Sequence, residues 1–300
     1  MKQMSKLKKI SLLILIYFLF YLFLEIFACG YLYFTSLEGM KEDVKKYGGV
    51  RFLLNIQDFK DENYENYIHK PVLVKNSKKP AIAIFGCSFG YGGDKNLFAN
   101  DLSKLTNRSV YNYSVQGVGP QMMYYAIEKG KVADNIDTCI YVFIGDHEFR
   151  SCKFRCAPLL AYVVPKYKLG KNNELKIEYP NFFQRHSFIY REFEYVFPLY
   201  YKNGKYANEV FRNVVLQSYS QLKKKNNNMK FIILNYSDFL TEDFPCVNEF
   251  NKAGIEVISV NDLTSQNMFQ EKYYISPSDA HPNAVAWDMV SKKLVKKFDL

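Results

Sequence analysis

Short apolar stretches alternate with amphipathic stretches of nine or more residues along the chain from Ala81 onwards. Apolar runs bounded by Gly, Pro or polar residues predict buried strands, and apolar residues recurring every three or four positions predict helices. Strands are predicted at Ala81 to Phe85, Ser109 to Ser114, Cys139 to Ile144, Lys230 to Asn235 and Glu256 to Val260, with helices at Asn96 to Thr106, Gln121 to Lys129, Tyr206 to Lys225, Pro245 to Ala253 and Ala284 to Lys297. This alternation is typical of an α/β fold, a three-layer α/β/α sandwich with a parallel sheet.

Residues 80–300 are enough for one such domain, which an aromatic and irregular insertion interrupts at residues 151–200. A hairpin of Ala161 to Tyr167 and Glu174 to Tyr179 is predicted within the insertion, which we expect to form a lid or rim over the site. Residues 34–79 are polar and charged, and we interpret them as a stalk with a short helix near Leu37 to Tyr47 and a strand near Pro71 to Lys75.

The N-terminus has the features of a membrane anchor. Residues 1–9 carry four lysines and no acid, and residues 10–33 are apolar apart from Ser11, Glu25 and Gly30. This length slightly exceeds the ~20 residues that cross a bilayer as a helix. We therefore predict one transmembrane signal anchor, with the basic end cytoplasmic and the rest periplasmic or at the cell surface. A signal cleaved near Ala28-Cys29-Gly30 and a lipobox at Cys29 are the alternatives.

The net charge of +10 comes partly from the N-terminal lysines and partly from lysines on the last predicted helix, opposite its apolar residues. That is the pattern of a solvated helix face. No basic and aromatic residues interleave along a groove, so nucleic acid is not an expected partner.

Six cysteines are present. Cys87 and Cys139 lie beside or within apolar strands and are interpreted as buried thiols. Cys152 can pair with Cys156, or one of the two with Cys246, and the sequence does not choose between these pairings. No histidine cluster indicates a zinc site, and neither a metal nor another cofactor is predicted.

Two short segments carry the residue types of nucleophilic catalysis. Ser88 follows the first predicted strand in a glycine-flanked turn, where the carboxyl ends of parallel strands meet. Asp279 and His281 precede the last helix. A serine hydroxyl needs a base, and that base needs an orienting acid, so we expect Ser88, His281 and Asp279 to form a catalytic triad. Turn and helix-capping roles are the plainer interpretation of each segment alone.

Two further segments follow the next two strands. Gly117, before a predicted helix, allows a backbone N–H group to approach a ligand. Gly145 begins a loop with the charged and polar side chains of Asp146, His147, Glu148 and Arg150. A neutral His147 ring can donate a hydrogen bond, whereas the two acids favour its protonated form, and electrostatic coupling within this loop is expected. A solvated charged loop is the plainer interpretation of these residues alone.

Together the four segments resemble the SGNH, or GDSL-type, serine esterases and acyltransferases, over about residues 80–297. Gly86-Cys87-Ser88 matches the Gly-Asp-Ser turn with Cys87 in place of the acid, and Gly117 matches the glycine donor. His147 stands where the family has Asn, and Asp279-x-His281 is shorter than Asp-x-x-His. The resemblance implies a flavodoxin-like SGNH hydrolase fold, Ser88, Asp279 and His281 as catalytic residues, and Ser88, Gly117 and His147 as the oxyanion hole, with Asp146, Glu148 and Arg150 behind them.

The function that this resemblance implies is an extracytoplasmic, membrane-anchored serine esterase that removes acyl groups, with acetyl expected, from a cell-envelope or surface glycan or another acylated small molecule. Glycan O-acetyl transfer through the same residues is one alternative. A non-catalytic glycan-binding or assembly protein with this fold is the other. The oligomeric state is left open.

Overall fold

The computed structural model describes residues 6–35, 71–74, 77, 79–92, 96–152, 164–179, 181, 189, 204–238 and 240–300. The chain forms two compact units. The first contains Met1–Asp61, Ala157–Val163 and Pro180–Tyr200, and the second contains Glu62–Cys156, Val164–Tyr179 and Tyr201–Leu300. The helix predicted near Leu37 to Tyr47 lies outside the described residues.

The first unit contains helix α1, Lys6–Thr35. Its segment Lys8–Ala28 is long and apolar enough to cross a membrane, a property that signal sequences share. Glu25, the only acid between residues 10 and 33, is 8% exposed. Its two carboxylate oxygens lie 3.3 and 3.4 Å from the backbone nitrogen of Ile189. The polar group of the apolar helix is therefore matched by a backbone donor from the 151–200 insertion.

The second unit is built on a six-stranded sheet in the order β1-β3-β2-β4-β7-β8. Edge strand β1 is antiparallel to β3, and the other neighbours are parallel. Two separate antiparallel hairpins pair β5 with β6 and β9 with β10. The strands are β1 (Val72–Val74), β2 (Ala81–Gly86), β3 (Val110–Asn112), β4 (Ile136–Phe143), β5 (Lys166–Leu169), β6 (Leu175–Glu178), β7 (Lys230–Asn235), β8 (Ile255–Ser259), β9 (Tyr274–Ser276) and β10 (Asp279–Pro282).

The longer helices cover the sheet, and the short ones lie in the connections between its strands. They are α2 (Ser88–Tyr91), α3 (Leu97–Thr106), α4 (Pro120–Glu128), α5 (His147–Arg150), α6 (Gly204–Lys225), α7 (Val247–Ala253), α8 (Val260–Thr264) and α9 (Ala284–Phe298), with 3₁₀ turns at Lys171–Asn173 and Glu271–Tyr273. Helix α3 packs against α9, and α4 packs against α6. Every residue of β2 is buried, as expected for a strand with helices on both faces.

The core packs on both faces of the sheet. Ile82, Ile84, Ile140 and Val142 form one buried cluster with apolar residues of α3 and α9. On the other face the Phe143 ring lies 5.3 Å from that of Phe211 in α6. These layers confirm the predicted α/β/α sandwich.

The predicted strands and helices of the sandwich are all present, with ends shifted by up to three residues. The antiparallel β1 makes the sheet mixed, whereas a parallel sheet was predicted. The hairpin of the insertion begins at Lys166, and residues 161–163 of its predicted first strand lie outside the described part of the chain. The short elements α2, α5, α8, β9 and β10 were not predicted, because they contain too few residues for a periodic pattern.

Candidate active site

Ser88 is the first residue of α2, and a single residue, Cys87, separates it from the end of β2. This turn depends on Gly90. A Cβ atom on Gly90 would lie 2.5 Å from Ser114 Oγ and 3.3 Å from Val142 Cβ. The absence of a side chain therefore lets the turn lie tightly against β3 and β4, with the half-buried Ser88 at the carboxyl end of the sheet.

His281 meets Ser88 from the β9–β10 hairpin. Its Nε2 lies 2.7 Å from Ser88 Oγ, and its Nδ1 lies 2.5 Å from Asp279 Oδ1. Asp279 and His281 are two positions apart on β10, where the hairpin register is irregular, and the backbone N–H of His281 also donates to Asp279 Oδ1 at 3.1 Å. This local turn brings the two side chains together. The structure thus brings the three predicted residues into one hydrogen-bonded chain, although Ser88 and His281 are 193 positions apart.

Electrostatics favour an ionised acid in this chain. Partial burial would raise the pKa of Asp279, but hydrogen bonds from the ring and the backbone N–H of His281 outweigh it and lower that pKa. An ionised Asp279 accepts a hydrogen bond from Nδ1–H, which leaves the Nε2 lone pair directed at the Ser88 hydroxyl. The side chains of His281 and Asp279 are 38% and 43% exposed, so the site is open to solvent.

Gly117 lies in the loop between β3 and α4. The Val115 N–H group donates to Gly86 O at 3.1 Å and holds the start of this loop beside the end of β2. Gly117 has a φ of 69°, which a residue with a side chain rarely adopts. The loop that carries Gly117 is therefore tied to the turn that carries Ser88.

The position of His147 does not fit the oxyanion contact that was expected of it. Its side chain is 0% exposed, Nδ1 lies 2.6 Å from the Tyr141 hydroxyl, and Nε2 is closed to solvent and has no hydrogen-bond partner among the described residues. Burial foremost, and then the charge of Arg150, hold the pKa of His147 well below its usual value. A ring without access to solvent does not meet a substrate oxygen in this conformation. The expected oxyanion contact of His147 is not met, and of its two expected forms the neutral imidazole is favoured, because burial and the charge of Arg150 both lower its pKa.

The other charged residues of this loop divide into two roles. Arg150 forms an ion pair with Asp146 at 2.7 Å and donates to Val118 O at 3.1 Å, so it joins α5 to the loop of Gly117. A Cβ atom on Gly119 would lie 2.6 Å from Arg150 Cβ, which shows how closely the two segments approach. Glu148 is 8% exposed, and burial raises its pKa to about 7.

The cysteines follow their predicted burial. Cys87 and Cys139 are buried free thiols, and burial is the main cause that raises the pKa of each. A protonated, inaccessible thiol is a poor nucleophile, which favours Ser88 over Cys87. Cys246 is also a free thiol, so it forms no disulfide, and Cys156 lies outside the described residues. In the described part of the chain, no three His, Cys, Asp or Glu residues group as a metal site.

Sequence reasoning missed two aromatic residues beside the triad. The Phe89 ring centroid lies 4.7 Å from the His281 ring, and the Tyr236 ring lies 5.5 Å from that of Phe89. Phe89 is adjacent to Ser88 in sequence, which is the one local signal for its position. Tyr236 directly follows β7, and nothing in the sequence links it to the turn after β2.

No protein-family model matches the sequence, and no curated protein matches it. Among solved structures, the chain is similar to a protein of the G-D-S-L family from Desulfitobacterium hafniense described as lipolytic, with 11% identity and a TM-score of 0.42 over 73% of this chain and 99% of that chain. It is also similar to the acetyl xylan esterase Est2A from Butyrivibrio proteoclasticus, with 13% identity and a TM-score of 0.43 over 75% and 64% of the two chains.

A third similar structure is a family 3 carbohydrate esterase from Clostridium thermocellum, with 11% identity and a TM-score of 0.40 over 74% of this chain and 96% of that chain. The structural neighbours are thus GDSL-family proteins and carbohydrate esterases.

Proposed function

We propose that this chain is a serine ester hydrolase that acts through an acyl-serine intermediate. The observation that carries the proposal is the hydrogen-bonded chain from Ser88 Oγ through His281 to Asp279. The three side chains have the donor and acceptor order of a serine nucleophile, its base and the acid that orients the base. This order arises from two distant segments at the carboxyl end of the parallel strands, where active sites of open α/β folds lie.

The chemistry follows from the proton positions. Ser88 Oγ attacks the ester carbonyl as His281 Nε2 takes the hydroxyl proton, and Asp279 stabilises the imidazolium that forms. The imidazolium then gives this proton to the leaving alcohol, and the acyl group remains on Ser88. Water, deprotonated by His281, attacks the acyl-serine and releases the carboxylic acid with the free Ser88 hydroxyl.

The negative oxygen of each tetrahedral intermediate needs donors fixed in advance. We assign this role to the backbone N–H groups of Ser88 and Gly117, since the Val115 to Gly86 hydrogen bond holds their two segments side by side. His147 is left out of this assignment because its ring is buried. Arg150 and Asp146 support the donors indirectly, through the contact of Arg150 with Val118 O.

The proposed substrate is an acyl ester, with acetyl expected, on a glycan of the cell envelope or surface. The sequence resemblance to SGNH esterases supports this class, and the proposed membrane anchor at residues 10–33 would place the site on the same side of the membrane as such glycans. The exposure of His281 and Asp279 is compatible with an ester carried on a large molecule.

Ser88→Ala tests the proposal. In the purified full-length chain in detergent, it should lower the hydrolysis of p-nitrophenyl acetate by roughly 10³-fold or more and abolish labelling by a fluorophosphonate, without lowering the melting temperature. Cys87→Ala is the matched control, because it changes the neighbouring residue to another small apolar side chain, and it should keep both activities.

Two results would overturn the proposal. One is hydrolysis by Ser88→Ala at the parent rate. The other is a folded parent that neither hydrolyses the ester nor reacts with the fluorophosphonate, as expected of a binding protein. Transfer of acetyl to an added sugar, at the expense of acetate release, would assign the same intermediate to a transferase.

A further inference from the structure

The imidazole of His281 makes two hydrogen bonds, one at each nitrogen. These bonds fix the positions of the two nitrogens, whereas the tilt of the ring about the line that joins them depends also on packing against the ring faces. Its carrier, the β9–β10 hairpin, has two short strands, and a two-stranded hairpin has little stability of its own. A further contact is needed to fix the ring in the orientation that accepts the Ser88 proton.

Phe89 supplies this contact. Its ring centroid lies 4.7 Å from that of His281, and the two ring planes are inclined by 42°. Because Phe89 follows Ser88 in α2, the same turn carries the nucleophile and the ring that contacts the base.

The Phe89 ring is in turn supported from the core. Tyr236 lies 5.5 Å from Phe89 and is almost fully buried. The Trp287 ring centroid lies 5.5 Å from that of Tyr236 and 4.4 Å from that of Phe98. These rings belong to the buried cluster between the sheet, α3 and α9. Close-packed rings of this kind do not shift independently, so the rigidity of the core extends to Phe89.

The hydroxyl of Tyr236 takes no part in this support. It is buried and has no hydrogen-bond partner among the described residues. Only the ring of Tyr236 contacts Phe89, so a variant that removes the hydroxyl and keeps the ring can serve as a control.

We propose that Phe89, supported by Tyr236, is a positioning residue that holds the His281 imidazole in line with Ser88. This inference rests on the proposed esterase function for its kinetic consequence. Its structural content, the fixed orientation of His281, is independent of that function.

Phe89→Leu tests the kinetic consequence because it keeps an apolar side chain and removes the flat ring. Misplacement of a catalytic group by about 1 Å can cost as much as 10²-fold in rate, so we expect kcat on p-nitrophenyl acetate to fall about 10- to 100-fold. KM should change less than about twofold, since ground-state binding is not affected. Phe89→Tyr should restore kcat to within about threefold of the parent, because it restores the ring.

Tyr236→Phe is the matched control. It removes only a hydroxyl group without a described partner, so kcat should stay within about twofold of the parent, and the melting temperature should be equal or higher. A fall in kcat for Tyr236→Phe equal to that of Phe89→Leu would contradict the role assigned to the rings.

An NMR measurement tests the orientation without reference to activity. The full-length chain labelled with ¹⁵N-histidine in detergent micelles should show narrow His281 ring-proton signals displaced by the ring current of Phe89, with His281→Gln identifying them. In Phe89→Leu the displacement should be lost and the signals should broaden.

Unchanged His281 signals in Phe89→Leu would overturn the proposal even if the parent had no esterase activity. The same holds if Phe89→Leu lowers only the melting temperature and keeps the parent kcat per folded molecule, because Phe89 would then be a structural residue only. An inactive parent with the expected signals would remove the proposed function and retain the contact.

Discussion

At the scale of single residues, the spacing of Asp279 and His281 explains how one short strand provides two members of the triad. The register of the β9–β10 hairpin is irregular between Asp279 and Pro282, and there the carboxylate reaches Nδ1 of a residue only two positions away. The backbone N–H of His281 also donates to the same carboxylate oxygen, at 3.1 Å. Asp279 is therefore fixed by two bonds from the residue that it orients.

Asp279→Asn should lower kcat by about 10²- to 10⁴-fold with the fold intact. An amide can donate to Nδ1, which would place the ring proton on Nε2 and prevent it from accepting the Ser88 proton. Steady-state kinetics and a thermal melt of parent and variant check this together. Turnover within about threefold of the parent would show that Asp279 does not set the state of His281.

Glu148 gives a pH dependence of stability. Its pKa is about 7 in the folded protein, above the ordinary value of 4.5, because the folded chain buries the carboxyl group. The folded state therefore binds more protons than the unfolded state between these values, and its stability falls as pH rises through that window. Glu148→Gln stays neutral and avoids the loss.

Thermal melts at pH 5 and pH 8 test this sign. The stability of Glu148→Gln relative to the parent should increase between the two values, by at most a few kcal/mol. Glu256→Gln, at an exposed position, is the control. Its stability relative to the parent should be the same at pH 5 and pH 8. A relative stability of Glu148→Gln that stays constant or falls with pH would contradict the burial argument.

At the scale of elements, the site depends on how closely α2 approaches the neighbouring strands. A Cβ atom on Gly90 would overlap Ser114 Oγ, just beyond β3, and would press on Val142 of β4. Ser114 Oγ is buried without a hydrogen-bond partner in the described structure, so it fills space there and is not held by a bond. The position of Ser88 thus depends on how α2 packs against β4 and against the residue that follows β3.

Gly90→Ala should destabilise the fold by about 1–3 kcal/mol and lower kcat, because the added Cβ overlaps Ser114 Oγ and α2 must move. Adding Ser114→Ala removes the overlapping oxygen, so the double variant should recover part of both losses. Gly204→Ala is the control, since nothing lies within 4 Å of a Cβ atom there. Equal melting temperatures and turnover for Gly90→Ala and the parent would show that α2 has room to adjust.

At the scale of the whole molecule, the predicted anchor and the triad belong to different compact units. The first unit joins α1 to parts of the 151–200 insertion, as the contact of Glu25 with Ile189 shows. The insertion is therefore divided, because the β5–β6 hairpin belongs to the second unit. The predicted lid or rim over the site stays a prediction.

The predicted orientation places the lysines of residues 1–9 in the cytoplasm and the C-terminus outside. A reporter that is active only outside the cytoplasm should be active when fused after Leu300, and a cytoplasm-only reporter should be inactive there. The reverse pattern would contradict both the orientation and the proposed glycan substrate. Retention of the fusion in the membrane after a carbonate wash would separate an anchor from a cleaved signal.

Much of the fold was predictable because the strands and long helices carry local patterns of burial. An uninterrupted apolar run such as Ala81 to Phe85 cannot be exposed, and the repeat of Trp287, Val290 and Leu294 marks one buried helix face. The residues of the proposed triad were predicted from two local signals, a serine after a buried strand and an acid two positions before a histidine, taken together with the resemblance to SGNH esterases.

The tertiary structure decided those properties of a residue that depend on which other residues surround it. His147 has the sequence position of a ligand donor, but its burial against Tyr141 keeps it neutral and away from solvent. Phe89 and Tyr236 are ordinary apolar residues in the sequence, and only the parallel pairing of β2, β4 and β7 brings them together beside His281. Sequence patterns record which residues must be buried, whereas desolvation and ring contacts depend on which residues share the buried space.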